Sequence, residues 1–266
     1  MRRIVTGAAV AALLMLQSAP AQAIVYGEPD GMAHPNVGAV IAEWREEGVK
    51  EQLCSGTLID EDVFLTAAHC TAFLESLDIP NDEIWVSFDQ DVDPITRRTK
   101  LIRGTWVTNP GYNQRQSDPG DLAVILLSRN VATAPAALPR IGLFDEMKAA
   151  GTLRGQRFTA VGYGVHEAQT GGGPPTFPFD GERWRAVSSF DALTAAWLRL
   201  KQNDATGDGG TCFGDSGGPN FLGAGRTETN TIASVTVTGD AMCVATNTTL
   251  RLDTPGAHGF IDPFLD

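Results

Sequence analysis

The stretch Thr211–Pro219 reads Thr-Cys-Phe-Gly-Asp-Ser-Gly-Gly-Pro. It sets one hydroxyl, Ser216, among glycines, where backbone can take unusual conformations and lie close to a bound chain. A serine hydroxyl is a weak nucleophile and needs a neighbouring base. Acyl transfer also needs N–H donors for a developing oxyanion, and backbone groups near the serine can supply them. Candidate bases are few, because the chain has four histidines: His34, His69, His166 and His258. His69 closes the run Leu65-Thr66-Ala67-Ala68 and precedes Cys70, so a rigid backbone carries its ring. Taken alone, it reads more readily as a structural histidine. Asp121 stands directly before the apolar run Leu122–Leu127. A carboxylate there is partly desolvated and requires a hydrogen-bonding partner. An imidazole N–H suits it, since that contact fixes the tautomer and stabilises imidazolium. Taken alone, Asp121 is a turn aspartate like its neighbour Asp118.

Bringing three distant side chains to one crevice requires rigid supports. Val37–Ala42, Leu53–Ile59, Val63–Ala68, Glu83–Phe88, Lys100–Thr108 and Leu122–Leu127 read as strands. Arg129–Leu138 has little periodicity and reads as a linker. Arg157–Gly162, Arg183–Ser189, Thr231–Thr238 and Thr248–Leu252 resume the strand pattern, and Gly171–Pro178 is a loop. Asp191–Trp197 reads as a helical turn behind an acidic cap. Asp253-Thr254-Pro255 reads as the start of a C-terminal helix with proline early in it. With 29 Gly and 15 Pro and no βαβα rhythm, the chain points to an all-β fold of two packed barrels or sandwiches.

Residues 1–23 have the layout of a cleaved export signal. Arg2 and Arg3 are followed by an apolar run from Ile4 to Leu16 and then by Ala21-Gln22-Ala23. The run is short for a membrane span, which needs about 20 residues. A secreted protein, extracellular or periplasmic, is therefore expected. The formal charge is −12, and removing two arginines and no acids gives −12 − 2 = −14. Such a surface disfavours nucleic acid and anionic membranes as partners. Four cysteines (Cys54, Cys70, Cys212, Cys243) suggest two disulfides, and spacing alone allows three pairings. No Cys-x-x-Cys pair suggests a zinc site, so neither metal nor cofactor is expected. The acidic loop Asp78–Asp93 is read as solvated rather than as a calcium site.

The order His69, Asp121, Ser216 is that of the chymotrypsin fold, whereas subtilisin and the α/β hydrolases use others. The chain resembles the chymotrypsin/trypsin-like serine proteases, bacterial secreted members in particular. The resemblance rests on Ile24-Val25-Tyr26-Gly27, Cys54–Ile59, Leu65–Cys70, Asp121–Leu127, Gly214–Pro219 and Leu252–Ile261. It implies two six-stranded antiparallel β-barrels, residues 24–135 and 136–266, with the active site in the cleft between them and a short C-terminal helix. It implies a monomeric serine endopeptidase acting on polypeptides through an acyl-enzyme. It further implies Cys54–Cys70 and Cys212–Cys243 pairing, and an oxyanion hole from the Gly214 and Ser216 N–H groups. A free Ile24 amine would pair with Asp215 as the activating event. Because the signal motif ends at Ala23, export itself is expected to expose that amine.

By the same match, Gly210 is expected at the base of the specificity pocket, with Thr211 beside it, Phe213 at the mouth and Gly239 on the adjoining strand. Members that prefer Lys or Arg carry aspartate where Gly210 stands. An uncompensated buried cation is heavily penalised, so an apolar or aromatic residue is expected before the scissile bond unless Asp208 or Asp240 intervenes. Two other readings compete. An α/β-hydrolase esterase would use the literal Gly-x-Ser-x-Gly at 214–218 with Asp240 or Asp253 and His258. A protease-like binding protein would keep the fold without turnover.

Overall fold

The computed structural model describes residues 24–113 and 120–265. The expected signal, residues 1–23, and Asp118 lie outside these. The short strand β1 (Glu28–Pro29) opens the chain. It is followed by β2 (Val37–Ala42), β3 (Glu51–Leu58), β4 (Val63–Thr66), helix α1 (Ala68–Ser76), β5 (Ile84–Ser87), β6 (Ile102–Thr108) and β7 (Ala123–Leu127). Then come α2 (Leu143–Ala149), β8 (Arg157–Gly162), β9 (Trp184–Leu193), β10 (Trp197–Lys201), β11 (Pro219–Leu222), β12 (Ile232–Gly239), β13 (Thr246–Arg251) and α3 (Pro255–Ile261). Strands β2-β3-β4-β7-β6-β5 close one antiparallel barrel. Strands β8-β9-β10-β13-β12-β11 close a second through the β8–β9 and β11–β8 pairings, and β1 adds to its β9 edge. Two six-stranded barrels and a C-terminal helix are thus present as expected, and this all-β architecture excludes the α/β-hydrolase reading.

The barrels form because their strands are apolar enough to fill an interior and also lie under covering loops. All six residues of β2 are buried, as are four of the five in β7. One continuous apolar core joins Val40, Leu58 and Val124 of the first barrel to Val161, Phe221 and Val235 of the second. Polar clamps cross the boundary too. The Ser55 N–H donates to the Ser216 carbonyl at 2.8 Å, and the Tyr163 N–H donates to Ser55 Oγ at 3.0 Å. Among the described residues no helix is long and apolar enough to cross a membrane.

Two local expectations are corrected. Asp191–Trp197 is not a helix: β9 runs to Leu193, β10 begins at Trp197, and in the turn between them the Thr194 N–H donates to the Trp197 carbonyl at 2.9 Å while Thr194 Oγ1 accepts the Trp197 N–H at 3.0 Å. This closes the β9–β10 hairpin. The strand expected over Val63–Ala68 stops at Thr66, and His69 occupies the first turn of α1. No side chain at the helix start caps α1. The Asp121 carboxylate does so from outside, accepting the His69 N–H at 2.8 Å and so satisfying one of the free first-turn donors. The C-terminal helix is capped as read: Thr254 Oγ1 accepts the Ala257 N–H, and proline opens the first turn.

Candidate active site

Asp121 and His69 are joined on the first barrel, and Ser216 of the second lies alongside, its carbonyl 4.0 Å from Sγ of Cys70, the neighbour of His69. Asp121 precedes β7 and is buried, with 2% of its surface exposed. Its Oδ1 takes the His69 backbone N–H and its Oδ2 takes His69 Nδ1–H, both at 2.8 Å. This two-point grip fixes ring position and tautomer together, leaving the Nε2 lone pair as the basic edge. The His69 side chain is 30% exposed, so part of the ring stays in contact with solvent.

Ser216 is held against the same wall. Its carbonyl accepts the Ser55 N–H of β3. The following Gly217 (φ +82°) packs so tightly on the end of β4 that a Cβ would lie 2.1 Å from Thr66 Oγ1 and 2.8 Å from Ala67 N. Ala67 is two residues before His69. The Cys54–Cys70 disulfide ties β3 to α1 beside the imidazole, and Cys212–Cys243 ties the serine loop to the β12–β13 turn. Among the described residues no hydrogen bond joins His69 Nε2 to Ser216 Oγ. Such contacts commonly close only around a substrate.

The loop before the serine presents two free donors. Neither the Gly214 nor the Ser216 N–H has an acceptor among the described residues. Their orientation is fixed from behind. The Phe213 carbonyl accepts the Val165 N–H at 2.8 Å. The Asp215 carbonyl, in one peptide with the Ser216 N–H, accepts the Gly218 N–H at 2.8 Å, and the Gly214 carbonyl between them accepts Gln52 Nε2 at 2.9 Å and Ser55 Oγ at 3.0 Å. Gly214 adopts φ +94°, which an L side chain would resist. Gln52 and Ser55 are thus part of the site's support, and nothing in their local sequence marks them.

Asp215 is fully buried. Its carboxylate accepts only two backbone N–H groups among the described residues, from Gly164 and Cys212, each at 2.8 Å. Burial pushes its pKa up to about 7 against the pull of those two bonds. Ile24 is equally buried, packed with Trp184 and Ala186, and Val25 pairs with Gly210. In the 266-residue chain the Ile24 nitrogen is a peptide nitrogen, and it makes no bond to Asp215 among the described residues.

Beside Ser216 lies a pocket of about 310 Å³ bounded by Thr211, Phe213, Val237, Gly239 and Asp240. Of the four residues expected there, Gly210 does not line it. Gly210 sits behind, paired with Val25, and Gln202 fills the space a side chain at 210 would need. Asp208 also lies elsewhere, 3.7 Å from Arg157. Asp240 does face the pocket, but its carboxylate accepts four backbone N–H groups, from Met242, Val244, Ala245 and Thr246. Those bonds outweigh its desolvation and hold its pKa below the usual range. His258 lies on α3, bonded to the Pro139 carbonyl and Asp262.

The family model described as trypsin matches residues 33–250, more than half of the chain. That span contains His69, Asp121, Ser216 and every residue named around the pocket beside Ser216, whereas Ile24, Val25 and His258 fall outside it. Together with the double barrel it establishes that this chain belongs to the chymotrypsin/trypsin family of serine proteases.

Proposed function

We propose that the protein is an exported serine endopeptidase using His69, Asp121 and Ser216. The observation that carries this reading is the two-point grip of Asp121 on His69 at the wall against which Ser216 is packed. Ser216 Oγ attacks the scissile carbonyl carbon as its proton passes to His69 Nε2. The oxyanion is received by the Gly214 and Ser216 N–H groups. His69 then gives the proton to the leaving amine, and water resolves the acyl-enzyme by the same steps. The two barrels, residues 24–135 and 136–266, act as one unit, since the reacting groups come from both. Two disulfides suit an oxidising compartment. Removal of residues 1–23 would place a cationic amine at Ile24, which is the partner Asp215 lacks. A pocket walled by Val237 and Phe213, with its one carboxylate occupied by four N–H groups, suits an apolar or aromatic residue before the scissile bond.

A fluorophosphonate probe tests the chemistry. Protein from culture medium is expected to label at Ser216 and to begin at Ile24. Asp121→Asn is expected to slow turnover by about 10⁴-fold through loss of the correct tautomer. Unlabelled Ser216 in correctly processed protein would favour the binding-protein reading. Cleavage confined to Lys and Arg sites would overturn the pocket assignment.

A further inference from the structure

The residues that follow the expected cleavage point are docked from the first one onward. From Ile24 to Asp30 the chain lies as a strap on the second barrel. Ile24 and Val25 are 0% exposed. Val25 and Gly210 exchange both backbone hydrogen bonds, each at 3.0 Å. The Tyr26 N–H donates to the carboxylate of Glu167. Glu28 and Pro29 pair with Arg185 and Trp184 of β9, and Arg185 donates twice to Glu28 Oε1, at 2.9 and 3.0 Å. The Asp30 N–H then donates to the Arg183 carbonyl at 2.9 Å. Beneath the strap is Gly209, where even a Cβ would lie 2.6 Å from the Tyr26 carbonyl oxygen.

A peptidase holds its substrate as an extended strand, through main-chain N–H and C=O groups on both sides of the scissile bond. On the amine side of this bond, the groups of Val25, Tyr26 and Asp30 are already bonded to the protein's own barrel. The strap must leave that barrel before a peptidase can hold it, and cutting of a docked segment proceeds only through its opened population. Hydrolysis of the 23–24 amide takes up one water and leaves a carboxylate on Ala23 and an ammonium on Ile24. We infer that this cut is made on a chain whose strap is not yet docked, so that processing precedes closure of the second barrel and the folded, uncut chain is refractory to peptidases. Export must then deliver the chain unfolded to the enzyme that cuts it. The barrel closes once, around an amine that already exists. This inference rests on the exported-protease reading above and adds the order of its steps.

The full chain carrying Ser216→Ala, which cannot process itself, tests this with an added peptidase that cuts before large aliphatic residues. The rate of cutting before Ile24 is read by mass spectrometry and compared with that of a free peptide of residues 17–30 under the same conditions. Cuts within β2 and β7 in the same digest report whether the barrels are closed. The folded chain is expected to be cut before Ile24 at least roughly 100-fold more slowly than the peptide, the scale of an opening that breaks several hydrogen bonds. Glu167→Ala should raise the rate in the folded chain, and Glu167→Gln, which keeps an acceptor oxygen, should restore protection. A chain with β2 and β7 intact that is cut before Ile24 as fast as the free peptide overturns the inference. A full chain whose barrels close only after the cut follows the same order of events and upholds it. Fluorophosphonate labelling of secreted protein that begins at Ile24 is scored separately. Its failure overturns the protease reading, while the protection ratio still decides the order of processing.

Discussion

A carboxylate sealed from water with only two N–H partners is costly to ionise, and Asp215 in the uncut chain is in that position. Its pKa rises from the ordinary 3.8 to about 7 because burial disfavours the anion. The folded state therefore binds more protons than the unfolded state between those values, and stability falls as pH rises through that window. A rise from 3.8 to about 7 corresponds to a penalty on the order of 4 kcal/mol, absent below pH 3.8 and complete above pH 7. A chain blocked against cleavage before Ile24 should lose melting temperature from pH 4 to 7. Asp215→Asn in that background should flatten the curve, and thermal unfolding at several pH values measures both. An unchanged slope in the Asn variant would refute the assignment. His69, Asp121 and Ser216 stand out as candidates in the sequence because each adjoins an apolar run or glycine cluster of its own, and the first two are hydrogen-bonded in the fold. Gln52 was not, since its function is a bond to the Gly214 carbonyl 162 positions away. Gln202 fills the space beneath Gly210 for a similar non-local reason.

The strand β3 and the helix α1 work as one mount for the imidazole. Their Cys54–Cys70 bridge spans a separation of 16 residues, a loop for which chain-entropy models give about 3 kcal/mol. Replacing both cysteines with serine should lower unfolding free energy by about that amount in urea titration. It should also reduce kcat more than it raises KM, because the base is loosened while the pocket beside Ser216, walled by the second barrel, remains. Helix α1 escaped a local reading because its cap comes from Asp121, 52 residues downstream. The strands were legible because their apolar runs are continuous. The Asp191–Trp197 segment misled because an acidic residue ahead of apolar ones looks like a cap until Thr194 closes the turn.

At the scale of the molecule, a buried ionic network binds the N-terminal strap to both barrels. His34 bonds Asp30 and Glu228, and Arg183 reaches Asp30 at 2.9 Å and the carbonyl of Val37 at 3.2 Å. Burial opposes charge on His34, but its bonds to Asp30 and Glu228 prevail and raise its pKa. The stabilisation is complete below the unfolded value of about 6.5 and is lost as pH rises through the folded value. Melting temperature should therefore decline on going from neutral to alkaline pH, and His34→Gln should melt lower with a shallower decline. An identical alkaline slope in both proteins would rule this out. The double barrel was legible from turn density and strand rhythm, whereas this strap network was not, because its partners converge only after both barrels close.

Gly217 lies so close to the first barrel that even a methyl group there would meet Thr66 Oγ1 at 2.1 Å and Ala67 N at 2.8 Å. One hard contact therefore joins the barrels directly behind the hydroxyl of Ser216. The alignment of the two halves of the molecule and the aim of that oxygen are in consequence a single variable.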